Sequence, residues 1–318
     1  MVKRHWVLAL VLPTSLLGLA PTVSYGRFET ATFGVFVGTS PCDAAVRPSL
    51  GIHQTTDCEL VKWNLVLYDD PDTGTPTTYT LVCDYGPPQQ GTNGLSAGAG
   101  RTQRQGKWRF ARGTRADPDA SVYQLDPGEP GCLSFARVGP HLLHLLDREG
   151  SPMVGNAGWS YTLNRSAGRA KQPEPSPTIP VAKSGFEAVG EAPASASGAA
   201  AIAFVGRSPG LDAARHPKLK WDLTLHRDPG TLVPTTFRIK GTLYRARDLE
   251  GRWRMTRGAE VSPDAQVIEL ESDDPEVRLM FLQLDENVLL FLDSERNLLV
   301  GNGDFSFTLN SAEVLHEQ

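Results

Sequence analysis

Four cysteines are the most reactive side chains of this 318-residue sequence: Cys42, Cys58, Cys83 and Cys132. Two thiols held close together can exchange electrons, bind a soft ion such as Cu(I) or form a disulfide. All four lie in the first of two related halves, and an even number confined to one half is typical of paired cysteines. The sequence therefore predicts two disulfides. Of the three possible pairings we favour Cys42 with Cys58 and Cys83 with Cys132.

Histidines offer a second kind of metal ligand. His141 and His144 have the spacing H-x-x-H, which places two side chains on one face of a helix but on opposite faces of a strand. The segment around them has the pattern of a strand, and the second half has Asn287 and Leu290 at these positions. We therefore predict that His144 is buried for packing and that no metal ion is bound here.

Nucleophilic and acid–base catalysis lack a recognisable motif in the sequence. Ser40 and Ser208 each precede a proline, and neither lies in a G-x-S-x-G turn. Acidic pairs such as Asp69 with Asp70 fall in turn sequences, where aspartate binds the backbone. We therefore predict no catalytic residues, no cofactor and no enzymatic activity.

These residues belong to a chain that repeats itself. Residues 62–78 recur at 220–236 with ten of seventeen positions identical, and VGNAGWSYTLN recurs as VGNGDFSFTLN. A unit of about 130 residues is long enough to be a complete domain. The sequence predicts a signal peptide (1–26), a first domain (27–165), a disordered Pro/Ala-rich linker (166–200), a second domain (201–312) and a tail (313–318).

Hydrophobic residues alternate with a period of two in both halves, which is typical of half-buried strands. Trp63, Leu65 and Leu67 share one face, and Trp221, Leu223 and Leu225 repeat it. The inward face keeps its apolar character in both halves, whereas the outward face changes freely. Seven or eight strands per half, with no convincing helix, favour an antiparallel barrel that leaves no free edge. The predicted fold is all-β, with two tandem lipocalin-like antiparallel β-barrels joined by the linker.

Aromatic side chains on the predicted inward faces are candidates to line a ligand cavity inside each barrel. They are Trp63, Tyr79, Trp159, Trp221, Phe237 and Phe305.

The first residues predict export. Lys3 and Arg4 precede an apolar run from Trp6 to Ala20, and small residues at Ser24 and Gly26 suit cleavage. No cysteine follows the run, so we expect a periplasmic or secreted protein without a lipid anchor or a transmembrane segment. The formal net charge of −5 gives no general attraction for nucleic acid, and we expect no nucleic-acid partner.

Several short motifs resemble the N-terminal domain of the NlpE family of copper-homeostasis and adhesion lipoproteins. They are FVGTSPC, DCELVKWNLVLY, TTYTLVCDYG, GKW, VYQL, LLHLLD and VGNAGWSYTLNR. The resemblance implies a small lipocalin-like barrel and a role in copper or envelope stress, relayed through a two-component sensor. The family's C-x-x-C corresponds to Cys42 and Cys58, which an insertion separates here, and the lipidated cysteine is missing. We therefore expect a structural disulfide at this pair rather than a metal site.

Three functions follow as hypotheses. The first is an exported, non-catalytic binding protein that resembles NlpE. The second is a carrier that holds a small apolar ligand inside a barrel. The third is an extracellular interaction module in which the insertion from Asp43 to Asp57 contacts an envelope protein.

Overall fold

A computed structural model describes residues 31–166, 200–210, 218–240, 248–272, 274 and 277–312 of the chain. The predicted signal peptide, the predicted tail and all but the two end residues of the predicted linker lie outside the described residues. Within these ranges, no helix combines the length and apolar character needed to cross a membrane.

Eight antiparallel strands close the first barrel in chain order, so that β1 pairs with both β2 and β8. A single helical turn, α1 (Arg47–Leu50), lies between the first two strands. The strands are β1 (Ala31–Pro41), β2 (Leu60–Asp69), β3 (Pro76–Gly86), β4 (Gly100–Arg112), β5 (Ser121–Leu125), β6 (Leu133–Arg137), β7 (Leu142–Leu146) and β8 (Thr162–Ser166).

Eight further strands close the second barrel with the same topology, and β9 pairs with both β10 and β16. They are β9 (Ala201–Pro209), β10 (Lys218–Arg227), β11 (Pro234–Ile239), β12 (Leu249–Ala259), β13 (Ser262–Ser272), β14 (Arg278–Gln283), β15 (Val288–Leu292) and β16 (Thr308–Ser311). The prediction of two tandem antiparallel barrels is confirmed.

Each barrel has its own apolar core, built from the alternating residues that the sequence marks as inward-facing. In β2, Trp63 and Leu65 are buried whereas Asn64 between them is exposed. The indole N–H of Trp63 donates to Ser40 Oγ at 2.8 Å, and Trp221 repeats this bond with Ser208 at 2.8 Å. The serine of each Ser-Pro sequence therefore accepts a hydrogen bond from the indole N–H of a buried tryptophan. An unpaired N–H in the core would lower the stability of the fold.

A third apolar cluster joins the barrels to each other. The outward side chains of β5–β7 pack on those of β13–β15. The buried members are Val122, Ala136, Val138, Leu142 and Leu146 from the first barrel, and Val267, Met280, Leu282, Leu290 and Leu292 from the second. The outward faces of these strands are therefore buried rather than solvated.

Hydrogen bonds across this interface have an approximate two-fold symmetry. Ser160 Oγ lies 2.6 Å from Ser306 Oγ, and Thr308 Oγ1 donates to Thr162 Oγ1 at 2.9 Å. Ser160 and Thr162 occupy the positions in the first half that Ser306 and Thr308 occupy in the second. Equivalent residues of the two repeats thus meet each other, as in a symmetric dimer within one chain.

The repeated Val-Gly-Asn segment serves this interface as well as its own turn. Asn156 Oδ1 accepts from the backbone N–H groups of Gly158 and Trp159, which fixes the turn. Glycine is not needed here for a positive φ, because neither Gly155 nor Gly301 has one. A Cβ on Gly155 would instead overlap the Trp159 carbonyl oxygen, and one on Gly301 would overlap that of Phe305.

Candidate binding sites at the ends of the barrels

A disulfide closes the insertion at one end of the first barrel. Cys42 follows β1 and Cys58 precedes β2, and their sulfurs are bonded with the two Cα atoms 5.7 Å apart. The predicted Cys42–Cys58 pairing is confirmed. The disulfide brackets a loop that contains α1. The sequence did not predict this helix, because it is a single turn that contains a proline and lies between two β-strands.

The bracketed loop is a fixed cap on that end. The Arg47 guanidinium donates to the carbonyl oxygens of Cys42 at 2.9 Å, Thr56 at 2.8 Å and Cys58 at 2.7 Å. Charge-assisted bonds of this kind are stronger than neutral ones and hold the backbone in place. Three apolar side chains of the loop belong to the first core, namely Val46, Leu50 and Ile52. The cap therefore closes the barrel end with apolar packing.

The predicted second disulfide is wrong, because Cys83 and Cys132 are free thiols. Cys83 faces inward from β3, belongs to the first core, and is fully buried. Cys132 is half-buried in the turn before β6, outside that core. The two residues therefore lie in different environments, and burial raises the pKa of the Cys83 thiol, with a smaller contribution from the nearby Asp84 charge.

The two histidines of the H-x-x-H motif are in different environments. His141 is exposed, whereas His144 is fully buried with Nδ1 2.9 Å from Thr162 Oγ1 and Nε2 2.9 Å from the Met153 carbonyl oxygen. Burial lowers the pKa of His144 to about 4, against a smaller opposing effect of the bond to Met153. Among the described residues, no group of three or more His, Cys, Asp or Glu side chains could hold a metal ion.

The six aromatic residues predicted to line cavities occupy three kinds of position. Four belong to the cores, Trp63 and Tyr79 in the first barrel and Trp221 and Phe237 in the second. Phe305 is buried outside these clusters beneath Lys218, whose ammonium lies 5.8 Å from the ring centroid. Trp159 is only partly buried and lies in the segment that precedes β8.

Tyr79 also takes part in a polar group that links the barrel to its cap. Its hydroxyl donates to Asp126 Oδ2 at 2.5 Å, and the same oxygen accepts from Arg104 Nη2 at 2.8 Å. Arg104 in turn donates to the carbonyl oxygens of Ser49 in α1 and of Gly131. Burial, followed by the bond to Asp126, raises the pKa of Tyr79, so the phenol stays neutral. The polar groups at this end of the first barrel therefore hold the barrel and its cap together.

The opposite end of the first barrel carries an aromatic cluster, of which Phe110 is the exposed member. Phe33 lies near the start of β1, and Phe110 and Tyr123 face each other across β4 and β5. Ring centroids lie 5.1 Å apart for Phe33 and Trp108, and 5.2 Å apart for Phe110 and Tyr123. Phe110 remains 48% exposed, although it is a large apolar residue. An exposed aromatic group at a barrel end is a surface suited to an apolar ligand.

The second barrel lacks this aromatic cluster. Phe33 sits at a β-bulge, where the register shifts between Thr32 and Gly34, whereas β9 pairs with β10 without a shift. Met255 and Ile268 occupy the positions of Phe110 and Tyr123. Both barrels close, although only the first barrel has these rings. The shared fold therefore does not require them.

A cation lies at the edge of the cluster. The Arg165 guanidinium carbon is 5.8 Å from the ring centroids of both Phe33 and Phe36, and Arg165 Nη2 donates to the Phe33 carbonyl oxygen at 2.5 Å. Burial raises the pKa of Tyr123, and the charges of Arg137 and Arg165 oppose that shift. The surface therefore combines apolar rings with a positively charged rim.

A separate pocket of about 200 Å³ lies on the outside of the second barrel. Its wall includes the Glu269 carboxylate, which accepts from Arg254 at 2.6 Å, Arg278 at 3.0 Å and Arg296 at 2.5 Å. Burial raises the pKa of Glu269, but the hydrogen bonds and charges of Arg254 and Arg278 outweigh it and lower the pKa overall. In the first barrel the equivalent Gln124 accepts only from Arg109 among the described residues.

Sequence reasoning missed the aromatic cluster and the cap contacts of Arg47. Phe110 occupies an inward position of β4, so its alternation pattern indicates burial rather than exposure. The sequence signal that distinguishes this position is the replacement of Phe110 by Met255 in the second repeat. No model of a known protein family matches the chain, and no curated protein matches it.

Proposed function

We propose that this chain is an exported, non-catalytic binding protein, and that a small apolar ligand contacts the aromatic end of its first barrel. The observation that carries the proposal is the half-exposed Phe110 in a cluster with Phe33, Trp108 and Tyr123, which the second barrel lacks. The cap closes the opposite end, so the aromatic end is the accessible one on this barrel.

A neutral fluorescent probe tests this binding. N-phenylnaphthylamine is expected to gain fluorescence with the purified protein, and Phe110→Ser is expected to weaken binding about fivefold or more, because aromatic contact area is lost. Met255→Ser, at the equivalent position of the second barrel, is the matched control and is expected to leave probe affinity unchanged. Equal affinity of the wild type and Phe110→Ser would remove the proposal.

Export is supported by the Cys42–Cys58 disulfide, since such bonds persist in oxidising compartments. Fusion of residues 1–26 to alkaline phosphatase, which is active only outside the cytoplasm, tests the signal. The wild-type fusion is expected to be active. A variant that keeps Lys3 and Arg4 but has charged residues within the apolar run is expected to be inactive. A wild-type fusion that remains inactive in the cytoplasmic fraction would contradict export.

The resemblance to NlpE also supports a role in copper or envelope stress. The pair that would bind Cu(I) is Cys42 and Cys58, and because their sulfurs are joined here this role requires the reduced protein. If the copper role of the family applied to this pair, the reduced protein would retain one Cu(I) ion in competition with a chelator, and Cys42→Ser would lose it. Retention of Cu(I) by Cys42→Ser would exclude this pair.

An envelope protein is the second candidate partner, and the rigid cap favours it. Gln54 and Thr55 are exposed on a loop whose carbonyl groups Arg47 holds in place, so their side chains are presented at fixed positions. A photo-crosslinking residue at position 55 is expected to form an adduct in cells, whereas the same residue at exposed Gln105 on β4 is the control. Adducts of equal yield at both positions would exclude specific contact through the cap.

A further inference from the structure

Arg227 ends β10 and points into the end of the second barrel. It continues the inward alternation of Leu223 and Leu225, both of which are buried in the second core. Its guanidinium carbon lies 5.7 Å from the ring centroid of Trp253, and the indole N–H of Trp253 donates to the carbonyl oxygen of the preceding His226 at 2.7 Å. Stacking on a satisfied tryptophan holds the guanidinium in a defined orientation.

The Nη1 atom of Arg227 is buried and has no hydrogen-bond acceptor among the described residues. The next residue in sequence, Asp228, uses its Oδ1 atom to accept from Gly230 N and Thr231 N in an exposed turn. Burial lowers the pKa of Arg227, which is the expected effect when a cation loses water without gaining an anion. Buried guanidinium groups are normally paired with a carboxylate, phosphate or similar oxyanion.

The repeat shows that the fold does not demand a cation here. The equivalent residue of the first barrel is Asp69, which ends β2 as Arg227 ends β10. Asp69 Oδ1 is likewise buried without a partner among the described residues. The two barrels therefore carry opposite charges at the same inward position, and each charge is a property of its own barrel end.

Apolar residues lie on the turn and strands next to Arg227. Val233 is 53% exposed and its carbonyl oxygen accepts from Asp228 N, directly beside Arg227. Ile202 and Met255 are partly buried and pack against the second core. A ligand held by Arg227 therefore meets apolar side chains beyond its charged group.

We propose that this end of the second barrel binds an amphiphile whose oxyanion, such as a carboxylate, pairs with Arg227 while its apolar part lies on Ile202, Met255 and Val233. This site lies on the second barrel and is separate from the aromatic end of the first barrel. The two sites can therefore be tested independently.

Calorimetric titration of the full chain with dodecanoate and with its neutral counterpart dodecanol tests the proposal. Dodecanoate is expected to bind about tenfold more tightly than dodecanol, because only the carboxylate pairs with the guanidinium. Arg227→Gln is expected to remove this preference. Arg252→Gln, which removes an exposed arginine of β12, is the charge-matched control and is expected to retain it.

Arg227→Asp is a second variant that the fold is expected to accept, because the first barrel has aspartate at this position. It is expected to reverse the preference, so that dodecanol binds more tightly than dodecanoate. A dodecanoate preference that persists in Arg227→Gln or Arg227→Asp would overturn the proposal.

A titration with inorganic phosphate distinguishes a site for a free anion from a site for an amphiphile. Phosphate is expected to compete only weakly with dodecanoate, since it makes no apolar contacts. Phosphate that binds the wild type as tightly as dodecanoate, and fails to bind Arg227→Gln, would assign the site to a free anion and overturn the amphiphile. Phe110→Ser is expected to leave the preference for dodecanoate over dodecanol unchanged, which keeps this test distinct from that of the first barrel.

Discussion

Asn164 and Asn310 occupy equivalent positions in the two repeats, and each binds the Gly-Asn turn of the opposite barrel. Asn164 Oδ1 accepts from Gly301 N at 2.7 Å and its Nδ2 donates to the Asn302 carbonyl oxygen at 2.9 Å. Asn310 makes the same two bonds to Gly155 at 2.8 Å and Asn156 at 3.2 Å. The same pair of hydrogen bonds, made once by each repeat, thus joins the two barrels.

Replacement of both asparagines is expected to uncouple the barrels. Asn164→Ala and Asn310→Ala should each cost about 1–3 kcal/mol, because each leaves backbone groups of the opposite barrel unsatisfied in a buried place. Urea denaturation of the wild type should show one transition, whereas the double variant should show two. Asn64→Ala, at an exposed position of β2, is the control. Two transitions already present in the wild type would contradict this coupling.

His144 is expected to make the fold sensitive to acid. Its pKa is lowered to about 4 in the folded protein, below the unfolded value of about 6.5, so the neutral ring stabilises the fold above pH 6.5. This contribution is lost as the pH falls from 6.5 to 4, and amounts to at most about 3 kcal/mol.

His144→Leu tests this dependence, because Leu290 occupies the equivalent position of the second barrel and belongs to the interface cluster. The free energy of unfolding of this variant should vary less than that of the wild type between pH 6.5 and 4. Parallel pH curves for the two proteins would rule out His144 as the cause.

Asp285 is expected to act in the opposite direction. Burial raises its pKa to about 6, with smaller contributions from Glu286 and Asp147 across the interface, so the protonated carboxyl is favoured in the fold. Its contribution is present at pH 4 and is lost as the pH rises through 6. Asp285→Asn, which resembles the protonated form, is expected to stabilise the protein by about 1–2 kcal/mol at pH 7.5.

The control for this prediction is the pH itself. The stabilisation by Asp285→Asn should disappear at pH 4, where the wild-type carboxyl is already protonated. A gain of equal size at both pH values would show that packing rather than ionisation is responsible.

The cysteines are expected to react in two steps. In the native, non-reduced protein a thiol reagent should modify the half-buried Cys132 quickly and the fully buried Cys83 hardly at all. Urea should expose both, which gives two reactive thiols per chain. The absence of any thiol after unfolding would instead favour the second disulfide that the sequence suggested.

Removal of the Cys42–Cys58 bond tests the cap. Cys42→Ser combined with Cys58→Ser should cost about 3 kcal/mol on the loop-entropy account, because the unfolded chain regains freedom over a separation of 16 residues. Cys132→Ser is the control and should have little effect on the urea midpoint. A double variant as stable as the wild type would mean that the contacts of Arg47 alone secure the cap.

The strands and the cores could be predicted from period-two alternation, which places residues such as Trp63 and Leu67 inward. The interface could have been suspected from another pattern. All five residues of β7 and all five of β15 are buried, and such continuous apolar runs indicate strands covered on both faces. Period-two alternation alone describes strands that are buried on one face, so it does not reveal this second covered face.

Other features could not be read from local pattern. Pairing of Cys83 with Cys132 was a matter of elimination, and only the barrel closure shows that one thiol is in the core and the other in a turn. The exposure of Phe110 depends on how β4 ends at the barrel rim, and Arg227 is recognised as inward only from the register of β10. Each depends on contacts between residues distant in sequence.

The self-complementary face also limits what the molecule can assemble into. Each repeat uses the same surface that its twin uses, so the two halves satisfy one another and leave no equivalent patch for a third unit. Growth into a fibre or ring through this face is thereby blocked within a single polypeptide. A larger complex would have to use other surfaces, such as the barrel rims and the cap of the first barrel, which differ between the halves.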